Sequence, residues 1–126
     1  MAITGADAVS RLTIGAAIEV HRVLGPGLLE TSYRRCLVEE LRLMEVEVRA
    51  EVLLPLVYKG VSLDCGYRMD PVVADAVIVE LKCVKSFERV HEAQLLTYLR
   101  LASVRVGLLL NFHAAVLRDG ILRRVL

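Results

Sequence analysis

The run Val77-Ile78-Val79-Glu80-Leu81-Lys82 is the tightest constraint this chain places on its own fold. It reads as a central strand with an acid and a lysine at its end. Side chains alternate faces along a strand. Ile78, Glu80 and Lys82 therefore share one face, and Val77, Val79 and Leu81 share the other. Glu80 and Lys82 stand about 7 Å apart along the strand. Burying unpaired charge costs several kcal/mol, so such a pair has either a partner or a task. One reading is a solvated strand end with a cross-strand ion pair. The other is a carboxylate and an ammonium that hold a divalent metal and a polarised water beside a phosphodiester.

The rest of the chain limits the setting. Its 126 residues suit one compact domain spanning 1–126. The apolar share is 56%, so the chain packs a dense core or hides an apolar face in an oligomer. No apolar run approaches the roughly 18 residues of a membrane span. The start, Met1 to Asp7, has no basic segment and no signal-like apolar segment, so a cytoplasmic protein with no membrane partner is expected. A net charge of +1 gives no global basic field to draw nucleic acid. Thirteen of the sixteen basic residues are arginine, which grips phosphate bidentately, although a GC-rich genome also raises arginine. Cys36, Cys65 and Cys83 are odd in number and form no C-x-x-C, which argues against a disulfide framework or structural zinc.

Periodicity gives the order of elements. A helix is expected from about Asp7 to Leu24, apolar almost all round, as in a buried or interface helix. Gly25-Pro26-Gly27 breaks it. A second helix runs from about Leu28 to Met44, with Leu37, Leu41 and Met44 as a stripe. Val46 to Val52 alternates strictly and continues to Tyr58 as a strand, with Pro55 at a bulge or edge. Lys59-Gly60 is a hairpin turn, and Val61 to Met69 returns as a strand. Ala74-Asp75-Ala76 turns into the strand that carries Glu80. A third helix spans about Phe87 to Ala102, with His91, Gln94 and Tyr98 on one face. Val106 to Phe112 is another strand, and Asp119-Gly120 signals a hairpin between Ala115-Val116-Leu117 and Ile121-Leu122. The class is α/β or α+β with a mixed sheet.

Asp70 lies ten residues before Glu80, across the turn from its strand. An Asp on one strand of a hairpin and a Glu-x-Lys on the next can converge on one metal. Oxygen ligands suit Mg²⁺ or Mn²⁺. A lysine ammonium is a poor base at neutral pH, so Lys82 is expected to orient water and stabilise developing charge.

Asp70 followed by Glu80-Leu81-Lys82 resembles the Asp…(Asp/Glu)-x-Lys signature of the PD-(D/E)XK nuclease superfamily. Gly27-Leu28-Leu29-Glu30-Thr31-Ser32-Tyr33 fits G-x-x-E-x-x-Y, the motif of the GxxExxY protein family, which is placed in that superfamily. His21 with Leu24-Gly25-Pro26-Gly27 is similar to its lead-in. Gln94-Leu95-Leu96-Thr97-Tyr98 resembles the Q-x-x-x-Y element of RecB-type exonucleases. Gly107 to Phe112 is similar to the family's closing strand. One departure is Pro71, where family members often carry an aliphatic residue; Asp75 is then the alternative acid, although it reads as a turn residue.

The resemblance implies a restriction-endonuclease-like core, αβββαβ, with a mixed central sheet flanked by helices. It implies a metal-dependent nuclease acting on DNA or RNA, with Mg²⁺ or Mn²⁺ held by Asp70, Glu80 and Glu30. Lys82 completes the catalytic set, and Gln94, Tyr98 and Tyr33 contact substrate or brace the site. The alternative is a non-catalytic module on the same fold that binds nucleic acid or a larger protein partner. A homodimer fits either. The bland readings stand beside these. Glu30 is also a first-turn acid favoured by the helix dipole. Tyr33 is also a core aromatic, and Gln94 and Tyr98 also core polar groups bonded to backbone. His21 and His91 read as satisfied interior histidines, and His113 as a loop residue. Arg34-Arg35 and Arg123-Arg124 are solvated or meet phosphate.

Overall fold

The computed structural model describes residues 5–69 and 71–126, with the side chains of 65–69 outside that description. Helices α1 (Ala6–Leu24) and α2 (Glu30–Leu43) precede strands β1 (Val48–Arg49), β2 (Val52–Tyr58), β3 (Val61–Met69), β4 (Val72–Val73) and β5 (Val77–Lys82). Helix α3 (Arg89–Ala102) crosses to β6 (Val106–Asn111), and β7 (Ile121–Val125) follows a 3-10 turn, Leu117–Gly120.

Five strands form one mixed sheet in the order β1-β4-β5-β6-β7. Only the β5–β6 pair is parallel, with Glu80 opposite Leu109 and Lys82 opposite Asn111. A parallel pair needs a crossover, and α3 supplies it. β6 is buried at every residue, as expected for a strand covered on both faces.

The alternation of β5 divides the core. Val77, Val79 and Leu81 pack with Tyr33, Leu37, Leu41 and the buried face of α1. Ile78 packs on the opposite side with Leu95, Tyr98 and Leu99 of α3. Helices α1 and α2 thus cover one face of the sheet, and α3 covers the other. Gly107 sets how closely α3 lies on β6. A Cβ there would come 2.7 Å from Leu95 Cδ1, so any larger residue must displace Leu95.

The expected fold class holds, and three details differ. The run from Val46 to Tyr58 is not one strand. Val48–Arg49 pairs with β4, whereas Val52–Tyr58 pairs with β3 in a separate two-stranded sheet. Strict alternation shows faces and not partners, so it could not reveal the break. The irregularity expected at Pro55 is present, as a register shift between Leu54 and Leu56. The Lys59-Gly60 turn is also as expected, with φ of 48° and 80° suited to a tight hairpin.

The second difference is at Asp119-Gly120. These residues close the 3-10 turn and not a hairpin, because Leu117 is drawn into the α1-side core. The strand expected at Ile121-Leu122 forms as β7, but it pairs with β6 and not with Ala115-Val116-Leu117. The third is α1, which buries Val9, Thr13, Ala16, Ala17, Val20 and His21 but leaves Ile18 and Val23 exposed. Among the described residues no helix is long and apolar enough to cross a membrane.

Candidate functional site

The site grows out of the end of β5. Glu80 follows Ile78 on the α3 side and is only 4% exposed. Lys82 is two residues on, its side chain 17% exposed, with Nζ 3.9 Å from Glu80 Oε2. Lys82 Nζ also donates to Gln94 Oε1 at 3.2 Å, and Gln94 Nε2 donates to Tyr98 Oη at 3.0 Å. A chain of polar groups therefore runs from the strand carboxylate through the ammonium to one face of α3. Gln94 and Tyr98 are one helical turn apart, as their spacing predicts. The close seat of Leu95 on Gly107 fixes the height of Gln94 above the sheet.

Two features hold this arrangement that the sequence reading missed. Asn111, opposite Lys82, is buried. Its Nδ2 donates to Val84 O at 2.8 Å, and its Oδ1 accepts from Val84 N at 3.1 Å. With the Phe112 N–H bonded to Lys82 O at 2.9 Å, this carries the β5–β6 pairing past the lysine. The available signal was an amide closing the apolar run Gly107-Leu108-Leu109-Leu110. The second is a capping box at the start of α3. Glu88 accepts from the His91 backbone, and His91 Nδ1 accepts from the Glu88 N–H at 2.9 Å. His91 is thus a cap, whereas His21 is a satisfied interior histidine, bonded through Nε2 to Ala114 O at 2.8 Å.

The remaining expected residues are distributed as follows. Asp70 lies outside the described residues. Its neighbour Pro71 is buried, and the Pro71 carbonyl accepts from Val79 N at 2.9 Å. Asp75 is a turn residue, with φ of 53° and an ion pair to Arg49 at 2.7 Å. Glu30 opens α2, in the layer opposite α3, and pairs with Arg34 at 3.2 Å. Its charge reaches Cys83, just past the end of β5. Burial pushes the Cys83 thiol above its ordinary pKa, and the Glu30 charge adds to that shift. A thiol so shifted is a weak nucleophile, consistent with a structural Cys83.

Tyr33 is fully buried. Its ring stacks on Phe112 at 4.6 Å. Its hydroxyl donates to Gly25 O at 2.5 Å and accepts from Leu28 N at 3.1 Å, which latches the Gly25-Pro26-Gly27 loop. The tyrosine of the G-x-x-E-x-x-Y run thus sits in the core beneath that loop. Arg123 pairs with Asp7 at 2.6 Å and Arg124 pairs with Glu92, so both are tied to acids on neighbouring helices.

Among the described residues no three His, Cys, Asp or Glu side chains cluster as a metal site. The donors on the α3 face of β5 are nonetheless hard oxygens, the Glu80 carboxylate and the Gln94 amide carbonyl. Such oxygens fit Mg²⁺ or Mn²⁺ better than a soft metal.

A family model described as the PD-(D/E)XK nuclease superfamily matches residues 7–125. No curated protein and no solved structure matches this chain.

Proposed function

The chain belongs to the PD-(D/E)XK nuclease superfamily, and from that premise we propose that it hydrolyses phosphodiester bonds of nucleic acid with a divalent metal, Mg²⁺ or Mn²⁺. The observation that carries this reading is the largely buried Lys82 ammonium, set between the Glu80 carboxylate and the Gln94 carbonyl at the end of a central strand. Charge is seldom placed in a core without a task.

Glu80 and Asp70 would hold the metal, with Glu30 as the further acid. The bound metal supplies positive charge at the phosphodiester and a more acidic water. Asp70 precedes Pro71, which the Val79 N–H anchors beside β5, and this supports its place in the set. An ammonium has three donors. Lys82 gives one to Gln94 and directs the others to the attacking water and to the phosphate oxygen that gains charge. Gln94, braced by Tyr98, keeps the ammonium aimed. Asn111 holds the backbone on which that aim depends.

The test is to incubate the purified protein with labelled single- and double-stranded DNA and RNA in Mg²⁺, Mn²⁺ or EDTA, beside Glu80→Gln. Metal-dependent cutting that Glu80→Gln abolishes is expected. Cutting that persists in a folded Glu80→Gln protein overturns the assignment.

A further inference from the structure

A groove of about 380 Å³ runs between Leu56 of β2 and one face of α3, where Val90, Thr97 and Leu101 line it. Gln94 and Tyr98 line it as well. The two residues that lead to Lys82 are therefore also the wall of this groove, so it is continuous with the face that carries Glu80 and Lys82. Its volume is near the lower end of small-molecule sites, roughly 300–1,000 Å³. Its lining is chiefly apolar.

Two arginines of α3 flank it, on the side of the helix next to the lining face. Arg89 opens α3 and Arg100 lies near its end, where Arg100 Nη2 donates to the groove residue Thr97 at 3.2 Å. Eleven residues apart, Arg89 and Arg100 fall on the same side of the helix, about 16 Å from one another. Both are exposed. An apolar floor between two cations suits a flat apolar group carried on an anionic backbone. It does not suit a duplex, which hides its bases and binds through many phosphate contacts. The net charge of +1 offers no such field. His91 also lines the groove. Its Nδ1 is an acceptor for the Glu88 N–H, so the neutral ring carries its proton on Nε2, a single donor for a base edge.

We propose that this groove seats an unstacked base of a single-stranded nucleic acid, with the adjoining backbone led across Glu80 and Lys82. The proposal rests on the nuclease reading above, and it adds strand selection. Base contact of this kind tolerates sequence, because every base has an apolar face. DNA and RNA share that chemistry.

The experiment measures fluorescence anisotropy with labelled single-stranded DNA, single-stranded RNA and blunt duplex DNA in EDTA, followed by cleavage of the same substrates in Mg²⁺ or Mn²⁺. The variant Ala93→Leu/Thr97→Leu fills the groove from its helical wall without altering charge, and circular dichroism checks its fold. The wild-type protein should bind a single strand at least about ten-fold more tightly than the duplex, and the filled variant should lose that preference. The DNA and RNA arms then identify the polymer. Equal affinity for single strand and duplex, or an unchanged preference in the folded variant, overturns the groove even if metal-dependent cleavage persists. A preference lost in the variant without any cleavage by the wild type keeps the groove and removes the nuclease reading. No binding to any of the three overturns the groove as well.

Discussion

The two faces of β5 are made by alternate residues of one six-residue strand, yet they do opposite things. On the α1–α2 side, Val77, Val79 and Leu81 meet Tyr33, Leu37 and Phe112 in a chiefly apolar layer. On the α3 side, Ile78 keeps the core closed, and then Glu80 and Lys82 replace apolar packing with a polar chain that reaches Gln94 and Tyr98. The strand is held by the first face, and the second carries its polar groups. Because the side-chain period is two, each property can be changed with little cost to the other.

The sharpest test of that division compares neighbours. Glu80→Gln should reduce cleavage to background while the urea midpoint stays close to that of the wild type. Leu81→Ala should do the reverse. Loss of a fully buried leucine costs about 2–5 kcal/mol, read as a lower urea midpoint, whereas the molecules that remain folded should still cut. If Leu81→Ala lost activity without losing stability, the division between the faces would be wrong.

Gly107→Ala probes the α3 layer more gently. The added methyl meets Leu95 at 2.7 Å and must displace that side chain or the helix that carries it. Overpacking of this kind costs about 1–3 kcal/mol. Since Gln94 moves with the helix, kcat should fall more than KM rises. Tyr33→Phe probes the other layer. It removes the hydroxyl from Gly25 O and Leu28 N, at a cost of about 1–3 kcal/mol in denaturant titration, with cleavage by folded protein retained. A loss of substrate affinity in folded Tyr33→Phe would instead restore Tyr33 as a substrate contact.

The smallest effect concerns the rim of α3. The bond from Arg124 holds the Glu92 carboxyl below its ordinary pKa. A depressed folded pKa contributes stability above the unfolded value, about 4.3, and that contribution is lost as pH falls through the folded value. Arg124→Ala should therefore lower the thermal midpoint slightly at pH 7. The difference from wild type should close in acid.

Much of this contrast was legible in the chain. The period of β5 showed which residues share a face, and the four-residue spacing of Gln94 and Tyr98 put them together on α3. Pairing was less legible. The run Val46 to Val52 alternates across the point where the chain leaves one sheet for the other, so the two parts of the expected strand join different sheets. Leu117 looked like the end of a hairpin strand and became the anchor of a 3-10 turn. Both outcomes are decided by partners distant in sequence, which local pattern does not encode. The site itself was readable where residue type is unusual for its place, as with an acid and a lysine in an apolar strand. It was not readable at Asn111 and Gly107, whose work depends on what packs against them.

The parallel pairing of β5 with β6 also has a consequence in time. Glu80 and Lys82 stand opposite Leu109 and Asn111, residues that leave the ribosome almost thirty positions later. Until the crossover helix and its following strand have emerged, the end of β5 lacks its neighbour and the amide that clamps it. A nascent chain therefore carries Glu80 and Lys82 without their strand partner, and the order of synthesis itself delays assembly of that face until β6 has emerged.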